Sequence, residues 1–407
     1  MTRDLSTSAR ALGMGGAYLA ISDDANALRY NPAGLARIQR VEFLGSLSTL
    51  ERTIATEFHG EGREASLSGS QISALAFTYP FPTYRGSMVI ALGYTAPWIT
   101  DRNSERAFRE SSRTFRESLN EEGEVGEWSF GYAVDVAPEL ALGFRTSWIH
   151  GNINQDWFYL DTEYGFDDHQ VVDIDVNGFT GALGALSRVG GWGRLGLTLN
   201  LPRWIQLDQT ISFPAFPDYT EILEQDLTLP FSVGVGLSAM LPNLLLAGDA
   251  RLTDWTRIDY DGPLRYYEGP LIPNEPETRP RRPAYKQTWD LHFGAEYLLD
   301  ALGLAGMRLR AGVAWEPVPY RILQEYQELE PATPDPDDPP PESIPVYYSA
   351  RFDPDRLSFT VGLGVLLQES VTVDAGLAVG RFQRSGIDLV EEESDQRILV
   401  TAAFRLD

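Results

Sequence analysis

The fold class this sequence predicts is an all-β, fourteen-stranded antiparallel transmembrane β-barrel, and three observations predict it. Apolar residues alternate with period two in one segment after another, the pattern of strands with a single greasy face. The opposite face carries charges as well as small and polar residues, which a dry sandwich core would not tolerate but a wet or plugged lumen would. The links between segments are alternately short and long, as the two ends of a membrane barrel require.

Taken in order, the chain opens on a glycine-dense leader at 8–38 with little strand character. Ser22 suits the N-cap of a short helix running to Leu28. Asn31 before Pro32 repeats the device, because proline fits the first helical position and the Asn side chain accepts from the free amides behind it. Strand segments follow near 41–50, 71–80, 86–96, 126–136, 139–150, 170–188, 193–204, 225–240, 243–256, 285–299, 306–316, 356–367, 370–382 and 396–406. Their number is even, as in single-chain bacterial barrels.

The alternation is plainest late in the chain. Trp289, Leu291, Phe293 and Ala295 oppose Asp290, His292 and Glu296, and Met307, Leu309, Ala311, Val313 and Trp315 oppose Arg308, Arg310 and Glu316. Leu357, Phe359, Val361, Leu363, Val365 and Leu367 oppose Ser358, Thr360, Gly362 and Gly364. In the last segment Ile398, Val400, Ala402, Phe404 and Leu406 oppose Arg397, Thr401 and Arg405. Short links (81–85, 137–138, 189–192, 241–242, 300–305, 368–369) alternate with long ones (99–125, 151–169, 205–224, 257–284, 317–355). The short links are expected on the periplasmic side together with both ends of the chain, the long ones outside. Trp98, Trp128, Trp148, Trp255, Trp289 and Trp315 fall near strand ends, where interfacial aromatic girdles belong.

Composition removes other classes. No run in the 407 residues approaches the roughly 20 apolar residues of a membrane helix. A formal charge of −25 argues against nucleic acid as a partner, since a phosphate backbone needs a basic face. The chain has no cysteine, which fits an oxidising compartment. No secretion signal is visible; an exported chain would carry Met1 in place of a removed one.

Nothing in the sequence points to an enzyme, a metal or a cofactor. The GxGxxG at 191–196 sits in a tight link with no helix to present its amides to a phosphate. His59, His150, His169 and His292 are too scattered for zinc. Asp335, Asp337 and Asp338 are hard-oxygen groups of the kind calcium takes, but the prolines among them fix the chain without wrapping it, the mark of a solvated acidic loop.

The leader carries a resemblance. The run Ala11-Leu12-Gly13-Met14-Gly15-Gly16-Ala17, the pair Asp23 and Asp24, and Asn31-Pro32-Ala33-Gly34-Leu35, in this order ahead of the strands, resemble the N-terminal hatch of the FadL/TodX family of outer-membrane channels for hydrophobic compounds. The resemblance implies fourteen strands around a hatch inside the lumen, with residues 1–40 as hatch and 41–407 as barrel. It implies a place among the lipids of a Gram-negative outer membrane and a hydrophobic small-molecule ligand, a fatty acid or an aromatic hydrocarbon, taken up passively. Ligand capture then falls to two external links, one with Trp157, Phe158 and Tyr159, the other with Phe213, Phe216 and Tyr219. The same aromatics could simply pack the loops together, and both readings stand at this point.

Gating would fall to Asp23, Asp24, Asn31, Pro32 and Ala33, and lateral exit to the third strand, which Gly86, Gly93 and Pro97 flank or interrupt. Arg308 and Arg310 either meet a carboxylate head group or pair with Asp290 or Glu296. The leader pattern is also similar to that of the PorV/PorQ proteins, which implies the alternative of a secreted protein or a secretion system as partner. One departure from the family pattern is the end Phe404-Arg405-Leu406-Asp407, which lacks a terminal aromatic.

Overall fold

The structure is a computed structural model and describes residues 5–406 apart from 59–60, 99–101, 111–112, 162–165, 262–284, 320, 324–349, 353–354 and 386–388. Fourteen strands make the wall: β1 (Val41–Phe58), β2 (Glu61–Phe81), β3 (Met88–Thr95), β4 (Arg113–Ala137), β5 (Leu140–Asp161), β6 (Phe166–Val189), β7 (Gly193–Asn200), β8 (Ser232–Met240), β9 (Leu244–Asp254), β10 (Gln287–Leu298), β11 (Met307–Glu316), β12 (Arg356–Leu367), β13 (Val371–Ser385) and β14 (Leu389–Leu406). Each pairs antiparallel with the next, and β1 returns to β14 from Val41↔Leu406 to Phe58↔Leu389. Closure leaves the wall no free edge, the condition for strands in lipid. Short turns gather at the end where Val41 meets Leu406.

The outward positions read from the alternation are outward. Leu309, Phe359, Val361 and Ile398 are exposed apolar side chains, while Arg310 and Arg397 on the opposite face are buried. An unpartnered apolar surface of this extent on every wall strand is a lipid-facing surface. Its border at the end away from the short turns is an aromatic row in register across four strands, Trp128↔Trp148↔Phe179↔Trp204. Trp289 and Trp315 also face outward. Trp98 and Trp255 do not belong to the girdle. Trp98 is 4% exposed and lies inside, because the chain leaves the wall after Thr95, and Trp255 packs partly buried on the same internal cluster. Proximity to a strand end does not tell which face a ring takes.

Two of the expected segments are each cut in two. Residues 193–204 and 225–240 break at Pro202 and Pro230, which cannot donate to a ladder. Beyond these prolines a separate hairpin, Arg203–Ser212 with Thr220–Leu229, rises along β6 from Phe179↔Trp204 to Val171↔Ser212. The expected loop at 151–169 is likewise the tip of the β5–β6 hairpin, paired up to Asp161↔Phe166. Within 99–125, Arg102–Glu110 pairs with the top of β4. Most of 257–284 and 317–355, including Asp335, Asp337 and Asp338, lies outside the described residues.

Residues 5–40 fill the lumen. Helix α1 (Ala9–Gly13) is capped by Ser8, whose Oγ accepts from Ala11 N at 3.3 Å. Ser22 caps nothing: its hydroxyl donates to Tyr18 O at 2.6 Å. The next turn is set by Asp24, whose carboxylate accepts from Asn26 N at 2.9 Å, so α2 (Ala27–Tyr30) starts later than the Ser22 reading places it. Asn31 does cap the following 3₁₀ turn, Pro32–Arg37, accepting from Ala33 N at 3.2 Å. Leu28, Leu35 and Ile38 pack this part against Val89, Ala133, Ala141 and Leu186 of the wall.

Elsewhere backbone lies on backbone. Gly15 and Gly16 adopt φ of 66° and 87°, the left-handed turn that lets the chain double back inside the barrel. The wall answers with glycines of its own, since a Cβ at Gly294 or Gly312 would run into Met14 and Gly15.

Candidate functional site: a hatch between two chambers

The hatch is tied to the wall by polar groups no local pattern foretells. Tyr18 N and Leu19 N donate to one carboxylate oxygen of Asp249 on β9, at 2.6 and 2.8 Å. His292 Nδ1 meets Gly15 O at 2.7 Å. Arg10 bonds Glu296 on β10 at 3.1 Å and Asp23 at 2.6 Å, and Glu296 and Asp374 both accept from the fully buried Arg310, at 2.7 and 2.6 Å. Hatch, β10, β11 and β13 thus share one buried ionic chain. Such a chain contributes little net stability but is costly to break, about 3–5 kcal/mol on losing one partner. Of the two sequence readings of Arg310, pairing with Glu296 is the one observed.

Inside the hatch, burial works on the acids. Asp24 is pushed up from 3.8 to about 6, first by desolvation and then by the neighbouring Glu42 carboxylate, against the pull of Arg10 and the Tyr18 hydroxyl that donates to it at 2.7 Å. Tyr18 is raised for the same reasons, burial first and then Asp24. Burial would lower Arg10, but Asp23 and Glu296 hold it well above its ordinary value.

Two chambers flank the hatch. The one above has a volume of about 310 Å³ and is lined by hatch residues Leu5, Ser6, Gly15, Gly16, Arg29 and Tyr30 together with wall side chains. The one below, on the short-turn side, has about 1150 Å³ and reaches Arg10, Asp23 and Arg37. Over the upper chamber sits an apolar cluster of Trp98, Val125, Ile149, Ile153, Ile174, Val176, Ile205 and Leu229, with Leu207, Leu227 and Trp255 against it. Arg203 stacks its guanidinium on the Trp98 ring at 5.3 Å, and Glu127, wholly buried, faces both Arg29 (3.1 Å) and Arg203 (3.8 Å). From the long-link end inward, apolar surface therefore comes first and charge second.

The sequence-predicted residues distribute as follows. Trp157, Phe158 and Tyr159 lie on β5 and not in a loop, because the backbone there is fully paired to β6. Trp157 stacks on Tyr159 (5.9 Å) and donates to Glu117 at 3.0 Å, while Phe158 sits edge-on to His169. Phe213 and Tyr219 meet at 5.5 Å at the tip of the 203–229 hairpin, with Phe216 exposed between them. The registers Trp157↔Gln170 and Val171↔Ser212 bring both groups to one height, two strand spacings or about 10 Å apart.

Asp23 bridges Arg10 and Arg194 (3.5 Å), while Asn31 is wholly buried, its amide donating to Leu19 O (2.9 Å) and Ala185 O (3.2 Å). Pro32 and Ala33 lie over Gly143 and Gly184 of the wall. Gly86 takes φ 73° in the turn before β3, and the bare face of Gly93 admits Leu28. Pro97 lies where the chain leaves the wall, its carbonyl accepting from Leu5 N at 2.9 Å. Past it, the pairing of β4 stops at Thr95↔Glu127 and resumes at Arg102↔Glu121. Sequence reasoning missed Ser8, Arg10, Asp249 and the Arg29–Glu127–Arg203 group. For Asp249 and Glu127 the one local signal is a charge on the inward face of a strand; the leader residues Ser8, Arg10 and Arg29 carry none.

No protein-family model and no curated protein matches the sequence. Solved structures do match. The Pseudomonas putida toluene transporter TodX superposes with a TM-score of 0.61 over 100% of this chain and 99% of its own, at 13% identity. The Ralstonia pickettii toluene transporter TbuX gives 0.57 over 100% and 99% at 16%, and the monoaromatic hydrocarbon channel CymD 0.56 over 97% and 96% at 16%. The resemblance carried by the leader is thus met along the whole chain, and the fold is that of the FadL/TodX family, a closed fourteen-stranded barrel.

Proposed function

We propose that this chain is a Gram-negative outer-membrane channel for passive uptake of small hydrophobic molecules, aromatic compounds foremost. The observation that carries this reading is the apolar cluster at the external mouth, roofing a chamber that the hatch floors. The shared fold with toluene and hydrocarbon channels supports it. Ligand would be captured between Trp157, Phe158 and Tyr159 and the Phe213, Phe216 and Tyr219 tip. It would pass on when the hatch segment Asp23, Asp24, Asn31, Pro32 and Ala33 moves, and leave sideways at the interruption after β3, marked by Gly86, Gly93 and Pro97, or into the periplasm.

Burying about 100 Å² of apolar ligand surface at the tip is worth roughly 2.5 kcal/mol, close to a hundredfold in affinity. Replacing Phe213 and Phe216 together by serine should therefore slow uptake of a labelled aromatic compound by cells at low concentration and spare it at high concentration. Kinetics identical to wild type over the whole range, at normal surface levels, would shift weight to the second reading. In that reading the barrel, sealed between chambers, holds a segment of a secreted protein in its open top.

A further inference from the structure

We propose that the molecule carried is an organic anion, an aromatic ring bearing a carboxylate, and not a bare hydrocarbon; the inference rests on the uptake reading above and narrows its substrate class. A hydrocarbon path has no use for charge, yet among the described residues the upper chamber is lined by six arginines against four carboxylates. The lower one is lined by seven arginines against five. The chain as a whole is strongly acidic, at −25, and the buried carboxylates of Glu127, Asp249 and Asp374 stand behind these linings, so the excess belongs to the chamber surfaces.

Three of these arginines stand in no ion pair among the described residues. Arg251 lies in the upper chamber on β9, with Asp290 directly across and Asp249 two positions below, and its Nε is buried without a hydrogen-bond partner. A buried guanidinium donor left unmet is costly, and a carboxylate offers the planar pair of acceptors that meets it. Below the hatch, Arg188 faces Arg194 directly across the β6–β7 turn on the lumen side; Asp23 meets Arg194 at 3.5 Å, and Arg188 is left with the like charge opposite it. Arg308, the third, opens into the same chamber.

The inward row of β9 and the turn that follows it then reads as a measure of the ligand. Trp255 belongs to the apolar roof, Thr253 follows, and Arg251 comes next, so an aromatic body against Trp255 and Leu229 would set its head group at Arg251. A volume of about 310 Å³ is at the lower end of small-molecule pockets, roughly 300–1,000 Å³, and suits a single-ring acid.

The test is equilibrium dialysis of the purified full chain in detergent at pH 8 against labelled benzoate, benzyl alcohol and benzylamine, with micelle partitioning subtracted. Benzoate is expected to bind at least tenfold more tightly than the other two. Arg251→Gln should bring it to the level of benzyl alcohol, and Arg251→Lys, which keeps the charge, should retain part of the preference. Benzyl alcohol binding as tightly as benzoate in the wild type overturns the anion assignment and leaves the uptake reading standing. An undiminished preference in a folded Arg251→Gln does the same. Binding of none of the three overturns both, and the wild-type ratio decides the matter even if the variants do not fold.

Discussion

Asn31 shows how much one buried amide can hold. Its side chain caps the turn after it, ties Leu19 of the hatch and reaches Ala185 of the wall, all within 3.2 Å. Asn31→Ala should leave these groups unmet at a cost on the order of 2 kcal/mol. Hydrogen exchange is expected to speed up across residues 5–40 while the wall amides stay protected; unchanged hatch exchange would refute the role. Asp24 makes the same seat sensitive to pH. Its value inside the hatch, about 6, exceeds the ordinary 3.8, so between these values the seated hatch holds a proton that a released hatch gives up. Seating should strengthen as pH falls from 7 towards 4 and weaken as it rises. Exchange protection compared at pH 5 and 7.5, corrected for intrinsic rates, should show this trend in the wild type and a flatter one in Asp24→Asn. Asn31 was legible as a cap because Asn-Pro is a local device. Its two longer reaches were not, since nothing near it in sequence names Ala185.

At the scale of elements, the hairpin 203–229 is an addition to the wall and not part of it. β7 and β8 pair directly below it, Asn200↔Ser232, so the barrel closes without it. Replacing 203–229 by a short glycine-serine link should give a chain that still runs as a folded, heat-modifiable barrel on gels. Uptake of a labelled aromatic compound at low concentration should drop, because Ile205 and Leu229 leave the apolar roof. Failure to assemble would make the hairpin structural. The sequence hides this element because its strands continue the alternation of β7 and β8 with apolar residues turned inward, where the roof replaces lipid as the solvent they avoid. Pro202 and Pro230 are the visible sign, each a missing donor in what otherwise reads as unbroken strand. Trp98 misled for a related reason, as a ring at the end of β3 satisfies the girdle pattern whichever way the chain turns.

For the molecule as a whole, the alternating link lengths carry the expectation that the long links lie outside. Protease applied to intact cells is expected to cut within 99–125 and 317–355, whereas cysteines placed at Ala137 and Pro242 should react only after the outer membrane is permeabilised; labelling of either in intact cells would invert the topology. The wall was readable because lipid is a uniform solvent and demands the same of every outward position. The lumen was not, because Arg10, Glu296, Arg310 and Asp374 come from four distant stretches and meet only once the barrel closes. The inward glycines of β10, β11 and β12 carry a last consequence. A methyl group at Gly45 would find only Leu75 at 3.8 Å, but at Gly312 it would strike Met14 and Gly15, and at Gly362 it would press on Gly13 at 3.1 Å. Plug and cylinder are therefore cast against each other, like a key and its mould, and neither surface can drift over generations unless the other drifts in step. An alanine at Gly312 should unseat the plug while leaving the cylinder whole, and the changes that restore it should be found not beside it on β11 but some 300 residues away, around Met14 and Gly15.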